Sequence, residues 1–454
     1  MDKVISHIDQ NQKRYQDELF ALLRVPSVSA DPEHKDDCRK AAEWTRKKLE
    51  SMGMSARLYE VPGHPLVYGE WLKAPGKPTV LFYGHYDVQP PDPLDLWATP
   101  PFEPTVRNGS VFARGSADDK GQFLANVLGV EAYFQAVGQP PLNVKFLIEG
   151  EEEVTSHNLE QFIQSNKELL KCDQIVVSDS AQFDKGYPAI TYGLRGICYM
   201  EVFARGPKMD LHSGEYGGSV TNPANALAQM IAKLHDPATG RILIPGFYDD
   251  VVDLTAQERA EFAKLPFDEA DYKRYLDVDA LSGEKGFTTL ERKWARPTCD
   301  VNGMKAGYTG VGAKTVIGAE ASAKISMRLV PNQEPTKIRD AFVAYIKSIT
   351  PPGLQVRCEN YGLARPVIVA TDSPALTKVR AAMEKAFGAK TVLMRSGGSI
   401  PVVETFKNVL GVASLLVGYG LPDDALHSPN EKFSLNDYHR GIKTAAYLIE
   451  EFAK

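Results

Sequence analysis

Hydrophobic positions along the chain change period several times, and each change predicts an element. Over residues 2–24, Ile5, Ile8, Tyr15, Leu19, Leu22 and Leu23 fall on one face, the pattern of an amphipathic helix that stops near Pro26. A second helix is expected over about 34–52, closed by Gly53. Short runs rich in β-branched and aromatic residues follow at about 55–61, 66–72 and 78–83. Residues 121–136 are small or apolar on all sides, which predicts a buried helix. The runs 144–148 and 174–177 are short, apolar and bounded by polar residues, as buried strands are. Helices and strands thus alternate, the arrangement of a parallel sheet covered by helices.

Near Gly193 the pattern shifts. Residues 197–204 and 322–330 alternate apolar with polar, as half-exposed strands do, and 354–359 is another strand. Helices are expected at 222–235 and 335–349, with a long irregular stretch before residue 300. Beyond about 365 the first pattern resumes and ends in a helix over 434–453. The expected fold is therefore a two-domain α/β protein. One domain, 1–192 with 366–454, carries a mixed, mostly parallel sheet flanked by helices, and an α+β domain, 193–365, is inserted in it. The length of 454 residues agrees with more than one domain.

Composition narrows the function classes. Hydrophobic content of 43% and charged content of 24% are globular values. The net charge of -6, without a basic block, argues against a nucleic-acid partner. No apolar run is long enough for a membrane span. The first residues lack the apolar core of a signal peptide, and the five cysteines are scattered. A cytoplasmic protein with reduced thiols is expected.

Candidate chemistry gathers at strand ends, where ligands bind in open α/β sheets. His85 and Asp87 follow the first such run, and a carboxylate beside a histidine is how proteins fix the tautomer of a metal ligand. Asp118 and Asp119 precede a glycine and a helix. An N-cap with a dipole-matched acid is the ordinary reading of that pair, and a metal ligand at a tight turn is the functional one. Four carboxylates, Glu149 and Glu151 to Glu153, crowd the end of another apolar run. Such a run is usually a solvated loop, but its place at a strand end favours a cation site. Asp179 and His427 each follow further β-rich runs. His7, His34, His64, His157, His235 and His439 sit in polar surroundings and read as surface residues. His212 lies among Gly214, Gly217 and Gly218, which allow close backbone approach.

In the order His85-x-Asp87, Gly115-x-x-Asp118-Asp-Lys-Gly121, Glu152-Glu153, Asp179 and His427, these segments resemble a known family. It is the two-zinc metallopeptidase family of carboxypeptidase G, aminoacylase, succinyl-diaminopimelate desuccinylase and the carnosinase-type dipeptidases. Within it the chain most resembles the cytosolic non-specific dipeptidase and carnosinase branch. That rests on Leu211-His-Ser-Gly-Glu-Tyr-Gly-Gly218, Lys314-Thr-Val-Ile317, Arg328-Leu-Val-Pro-Asn332, Gly397-Gly-Ser-Ile-Pro401 and His427-Ser-Pro-Asn-Glu431.

The resemblance implies a catalytic di-metal domain with an inserted lid and dimerisation domain, and two Zn²⁺ per subunit. His85 and Asp179 would hold one zinc, Glu153 and His427 the other, and Asp118 would bridge them. Asp87 would orient His85, and Glu152 would be the general acid/base. His212 and Thr315 would reach the active site of a partner subunit in a homodimer. Arg328 would grip a substrate carboxylate, and Gly398 and Ser399 would line the pocket. A cis peptide bond between Asp118 and Asp119 is implied as well.

Charge supports this assignment independently. Asp118, Glu153, Asp179 and a bridging hydroxide neutralise two divalent cations, which suits a partly dry cleft. Nitrogen and oxygen donors without thiolate suit zinc, with manganese and cobalt also admissible. The expected activity is hydrolysis of dipeptides or short peptides with a free C-terminal carboxylate, by a bridging metal-activated water. An N-acyl amino acid amidohydrolase of the same chemistry is the alternative. A metal-bearing binding module is a further rival, against which Glu152 stands.

Overall fold

The structure, a computed structural model, describes residues 1–398 and 400–454, so Ser399, expected in the pocket, lies outside the described residues. The chain forms two compact units. The first is Met1–Tyr192, Val369–Met394 and Pro401–Lys454, and the second is Gly193–Ile368 with Arg395–Ile400. The expected boundaries, 1–192 with 366–454 and 193–365, differ from this division chiefly at Arg395–Ile400. That segment returns to the second unit because Arg195 ties it there. The Arg195 amide bonds Gly398 O at 3.1 Å, its Nε bonds Gly397 O at 3.0 Å, and Arg395 pairs with Glu258.

Across the first unit's sheet the strands run Ser55–Tyr59, Leu66–Trp71, Asn143–Glu149, Thr79–His85, Gln174–Val177, Ser414–Val417 and Ala189–Leu194. The four central strands are mutually parallel, and the pairings on either side of them are antiparallel. Nearly every residue of Thr79–His85 and Asn143–Glu149 is buried, as expected for strands covered on both faces. The helix Lys120–Val137 is buried almost all round. It stops at Gly138, whose φ of 87° is the left-handed closure that glycine makes without strain. Leu435–Ala453 packs beside it, with Ile442, Ala445 and Ala446 against Gly129.

The helix expected over 2–24 is two helices, Asp2–Gln10 and Gln12–Leu23. Between them the Asn11 side chain donates to His7 O at 2.8 Å, so it competes for a backbone acceptor of the helix. The irregular stretch before residue 300 contains three short helices, Ala256–Ala263, Glu269–Leu276 and Thr289–Trp294.

The second unit holds a four-stranded antiparallel sheet in the order Thr298–Ala306, Glu320–Leu329, Gly196–Arg205, Gln355–Ala364. Helices Pro223–Ala232 and Pro335–Ser348 cover one face, with Met200, Val202, Met230, Ile325, Met327 and Phe342 in the core. Truncating a fully buried phenylalanine such as Phe342 costs about 3–5 kcal/mol. No helix among the described residues is long and apolar enough to cross a membrane.

Candidate metal centre

Parallel strands deliver their carboxyl ends to one edge, and the first unit's candidate residues collect there. His85 is the last residue of its strand, Glu152 and Glu153 follow Glu149 in a short 3-10 turn, and Asp179 lies two residues past Val177. His427 follows the Ser414–Val417 strand at φ 58°, a left-handed conformation rare for residues other than glycine and frequent at functional sites. Asp118 comes from the turn before the Lys120–Val137 helix.

These residues form two donor clusters. His85, Asp118 and Asp179 make one, and Asp118, Glu153 and His427 the other, each with its donor atoms within 4.8 Å of one another. Asp118 belongs to both. Its Oδ1 lies 3.1 Å from His85 Nε2 and its Oδ2 2.9 Å from His427 Nε2. His427 Nε2 is also 3.3 Å from Glu153 Oε2, and Gln89 donates to that same oxygen at 2.8 Å.

Hydrogen bonding fixes how His85 presents itself. Its Nδ1 faces the Asp87 carbonyl at 3.1 Å and an Asp87 carboxylate oxygen at 3.4 Å. Both are acceptors, so the ring carries its proton on Nδ1 and turns the Nε2 lone pair toward Asp118. Two acceptors 3.1 Å apart are stable only with a proton or metal cation between them. The donor set, imidazole nitrogen and carboxylate oxygen, therefore fits divalent cations of the zinc class.

Asp87 organises more than the histidine. Its carboxylate accepts from Ser29 Oγ at 2.7 Å and from the amides of Glu152 at 3.3 Å and Glu153 at 3.1 Å. The acidic run is thereby held in register. Glu153 faces His427, whereas Glu151 accepts from Asn158 at 2.7 Å. Glu151 also lies against Gly63, where an added Cβ would stand 1.7 Å from its Oε1.

The Asp118–Asp119 peptide bond is cis, as the resemblance implies. Asp119 stands at the helix N-cap position without a side-chain capping bond, so the ordinary capping explanation of this acidic pair does not hold. Its Oδ2 instead accepts from the His85 amide at 3.1 Å.

Ionisation follows burial and these contacts. Burial pushes Asp179 up to about 7, with the Asp118 charge adding to it. Hydrogen bonds to Asp118 and Glu153 raise His427 to about 10. Burial opposes ionisation of Asp118, and His427 and His85 outweigh it, holding the carboxyl well below the usual range. Burial also raises Glu152 well above the usual range, aided by Asp179, Glu153 and Asp118 against His85.

Behind the donors lies a buried polar network. Gln122 donates to Ala117 O at 2.8 Å and accepts from Tyr419 N at 2.8 Å. Asn126 donates to Ser178 Oγ at 2.9 Å and accepts from Tyr419 Oη at 3.0 Å. One helix thus ties together segments next to Asp118, Asp179 and the strand before His427. Neither residue stood out in the sequence, although polar side chains four apart on an otherwise apolar buried helix are a readable sign.

The other candidates lie in the second unit. His212 and Thr315 are exposed and adjacent: Leu211 and His212 pair with Ile317 and Val316, and Ser213 N bonds Thr315 O at 3.1 Å. His212 Nδ1 accepts from Gly214 N at 3.0 Å. Arg328 is half-buried on its strand opposite Ile197 and Thr298, and Gly398 is exposed beside Arg195.

Residues 81–451 match the family model described as peptidase family M20/M25/M40. The chain is 32% identical to the Cys-Gly metallodipeptidase dug1 of Schizosaccharomyces pombe, over 100% of this chain and 98% of that protein. It is similar to the crystal structure of human carnosine dipeptidase 1, with a TM-score of 0.89 and 29% identity over 100% of this chain and 98% of that one. An M20 family metallo-carboxypeptidase from Sulfolobus solfataricus has a TM-score of 0.88 and 34% identity, covering 97% of this chain and 99% of its own. With the family model spanning most of the chain and the donor clusters falling inside it, the protein belongs to peptidase family M20/M25/M40.

Proposed function

We propose that the protein is a zinc-dependent dipeptidase that hydrolyses the peptide bond of dipeptides and short peptides with a free C-terminal carboxylate. The observation that carries this reading is the position of Asp118, one carboxylate shared by two donor clusters. His85 and Asp179 would hold one Zn²⁺, Glu153 and His427 the other, and Asp118 would bridge both. When bound, such a pair supplies an acidified water and polarises a carbonyl.

The chain's own groups do the rest. Asp87 keeps the His85 proton on Nδ1 and holds the Glu152 and Glu153 amides, so base and ligands share one anchor. Glu152 takes the proton of the attacking water and returns it to the leaving amine. Arg328 would bind the substrate carboxylate, with Gly398 and Ser399 lining the pocket. His212 and Thr315, both exposed, would serve the active site of a second copy in a homodimer, where the imidazole donates to the developing oxyanion. A cytoplasmic setting accords with five free cysteines.

Measured zinc content with a substrate panel tests the reading. Expected are two zinc ions per chain, hydrolysis of dipeptides such as Cys-Gly and β-Ala-His, and loss of turnover on chelation. Faster cleavage of N-acetyl amino acids than of dipeptides would replace it with the deacylase alternative.

A further inference from the structure

The motif that begins at His427 ends at Glu431, a fully buried carboxylate that belongs to neither donor cluster. Four donors converge on it. Oε2 accepts from Arg114 Nη1 at 2.9 Å and from Gly115 N at 2.8 Å. Oε1 accepts from Ala117 N at 2.9 Å and from Asp118 N at 3.1 Å. Only a carboxylate among the uncharged and acidic side chains offers two oxygens able to take four such bonds; an amide would turn an NH₂ toward two of the donors.

Backbone pairing extends the connection. Ala113 N bonds Glu431 O at 3.1 Å, and Lys432–Ser434 pairs with Ser110–Phe112. The turn that presents Asp118 and the loop that presents His427 are therefore one hydrogen-bonded piece, although far apart in sequence. Asp118 itself contributes its amide to that piece and its carboxylate to both clusters.

We infer that Glu431 is a positioning residue that aims Asp118 at the two clusters at once, so that its loss weakens cation binding at both. The inference rests on the reading of Asp118 as the shared ligand. Zn²⁺ titration of stripped full-length protein against a chromophoric chelator tests it. Glu431→Gln should lower both affinities by about 10–100-fold, the usual effect of removing a group that orients a ligand. Glu131→Gln is the control for a merely structural role. Glu131 is a comparably buried carboxylate bonded to Arg14 and Lys48, and it touches no ligand. Its variant should keep both zinc affinities.

Unchanged affinities in Glu431→Gln would overturn the inference. Loss confined to one ion would also overturn it, since Glu431 would then serve only the His427 loop. An equal loss in Glu131→Gln would reduce the effect to general destabilisation. Should Glu431→Gln not fold, Glu431→Asp, which keeps the charge but is too short to span the same donors, carries the same comparison. A wild type that binds a single ion would overturn the two-zinc reading and, with it, the inference that Glu431 serves both clusters. A wild type that binds none would overturn both.

Discussion

The metal centre of the first unit and the His212–Thr315 corner of the second are both dense in candidate residues, yet they are held in opposite ways. His85 and Asp87 are fully buried, and each is bonded to neighbours from other segments. His212 is exposed, and among the described residues its ring bonds the amide of Gly214, two residues away. The first site is held by hydrogen bonds within its own unit. The second has its backbone set by a two-residue ladder, while its side chains face solvent. A preformed centre suits strict geometry, whereas an exposed histidine suits a group completed by another surface.

The comparison can be broken by separating activity from stability. Glu152→Gln should have the largest effect, lowering kcat by about 10²–10⁴-fold with both zinc ions retained, because general acid–base catalysis is lost and shape is not. Retention of near-normal kcat would move the role to another group. His212→Ala should come next, with a loss of about 10²–10³-fold if it supplies an oxyanion donor. Its stability should stay within about 0.5 kcal/mol of wild type, as for other exposed positions. Mixing this variant with Glu152→Gln under subunit exchange should restore activity toward about one quarter of wild type, since half the dimers each regain one intact site. No recovery after demonstrated exchange would confine His212 to its own chain.

Gln122→Ala should show the reverse balance. It leaves Ala117 O and Tyr419 N without their partner, at about 1–3 kcal/mol for each buried group. Thermal melts of the metal-free protein read this directly, and an unchanged melt would mean the network contributes nothing to holding the centre.

The smallest effect lies outside both regions, at His439. Burial, with Lys443 adding, lowers its pKa to about 4 from an ordinary 6.5. The unfolded chain therefore takes up this proton first as pH falls. The stability contribution is complete above pH 6.5 and is lost between 6.5 and about 4. For a half-buried ring the loss should be about 1–2 kcal/mol after solvent screening. The difference in melting between wild type and His439→Gln, followed from pH 7.5 to 4 without metal, should reveal it; parallel curves would refute it.

His439 also shows where the sequence misleads. Its polar neighbours suggest a surface residue, but it lies half-buried on the final helix with Nδ1 buried. Period and composition revealed the central strands and the buried helix because those elements are apolar over their whole length. Asn11 broke the first helix through one side-chain hydrogen bond that no apolar pattern records. His85, Glu153, Asp179 and His427 were legible as candidates because each ends or follows a β-rich run, and Asp118 because it precedes a glycine and a helix, whereas their grouping into one set came from the family resemblance. Glu431, Gln122 and Asn126 were not assigned roles. Their importance lies in partners hundreds of residues away or on other strands, and a linear pattern does not show such pairings.

The strand Ser414–Val417 lies inside the sheet, between Gln174–Val177 and Ala189–Leu194, though it follows both by a long stretch of chain. During synthesis the sheet keeps that slot open until Ser414–Val417 has been made. His427 and Glu431 arrive with the same segment. A half-made chain thus carries His85, Asp118, Glu153 and Asp179 without His427, which completes the second cluster. Completion of the second cluster is thereby deferred until the His427 loop has been made, and a chain cut before Ser414 would lack both an inner sheet strand and one of that cluster's donors.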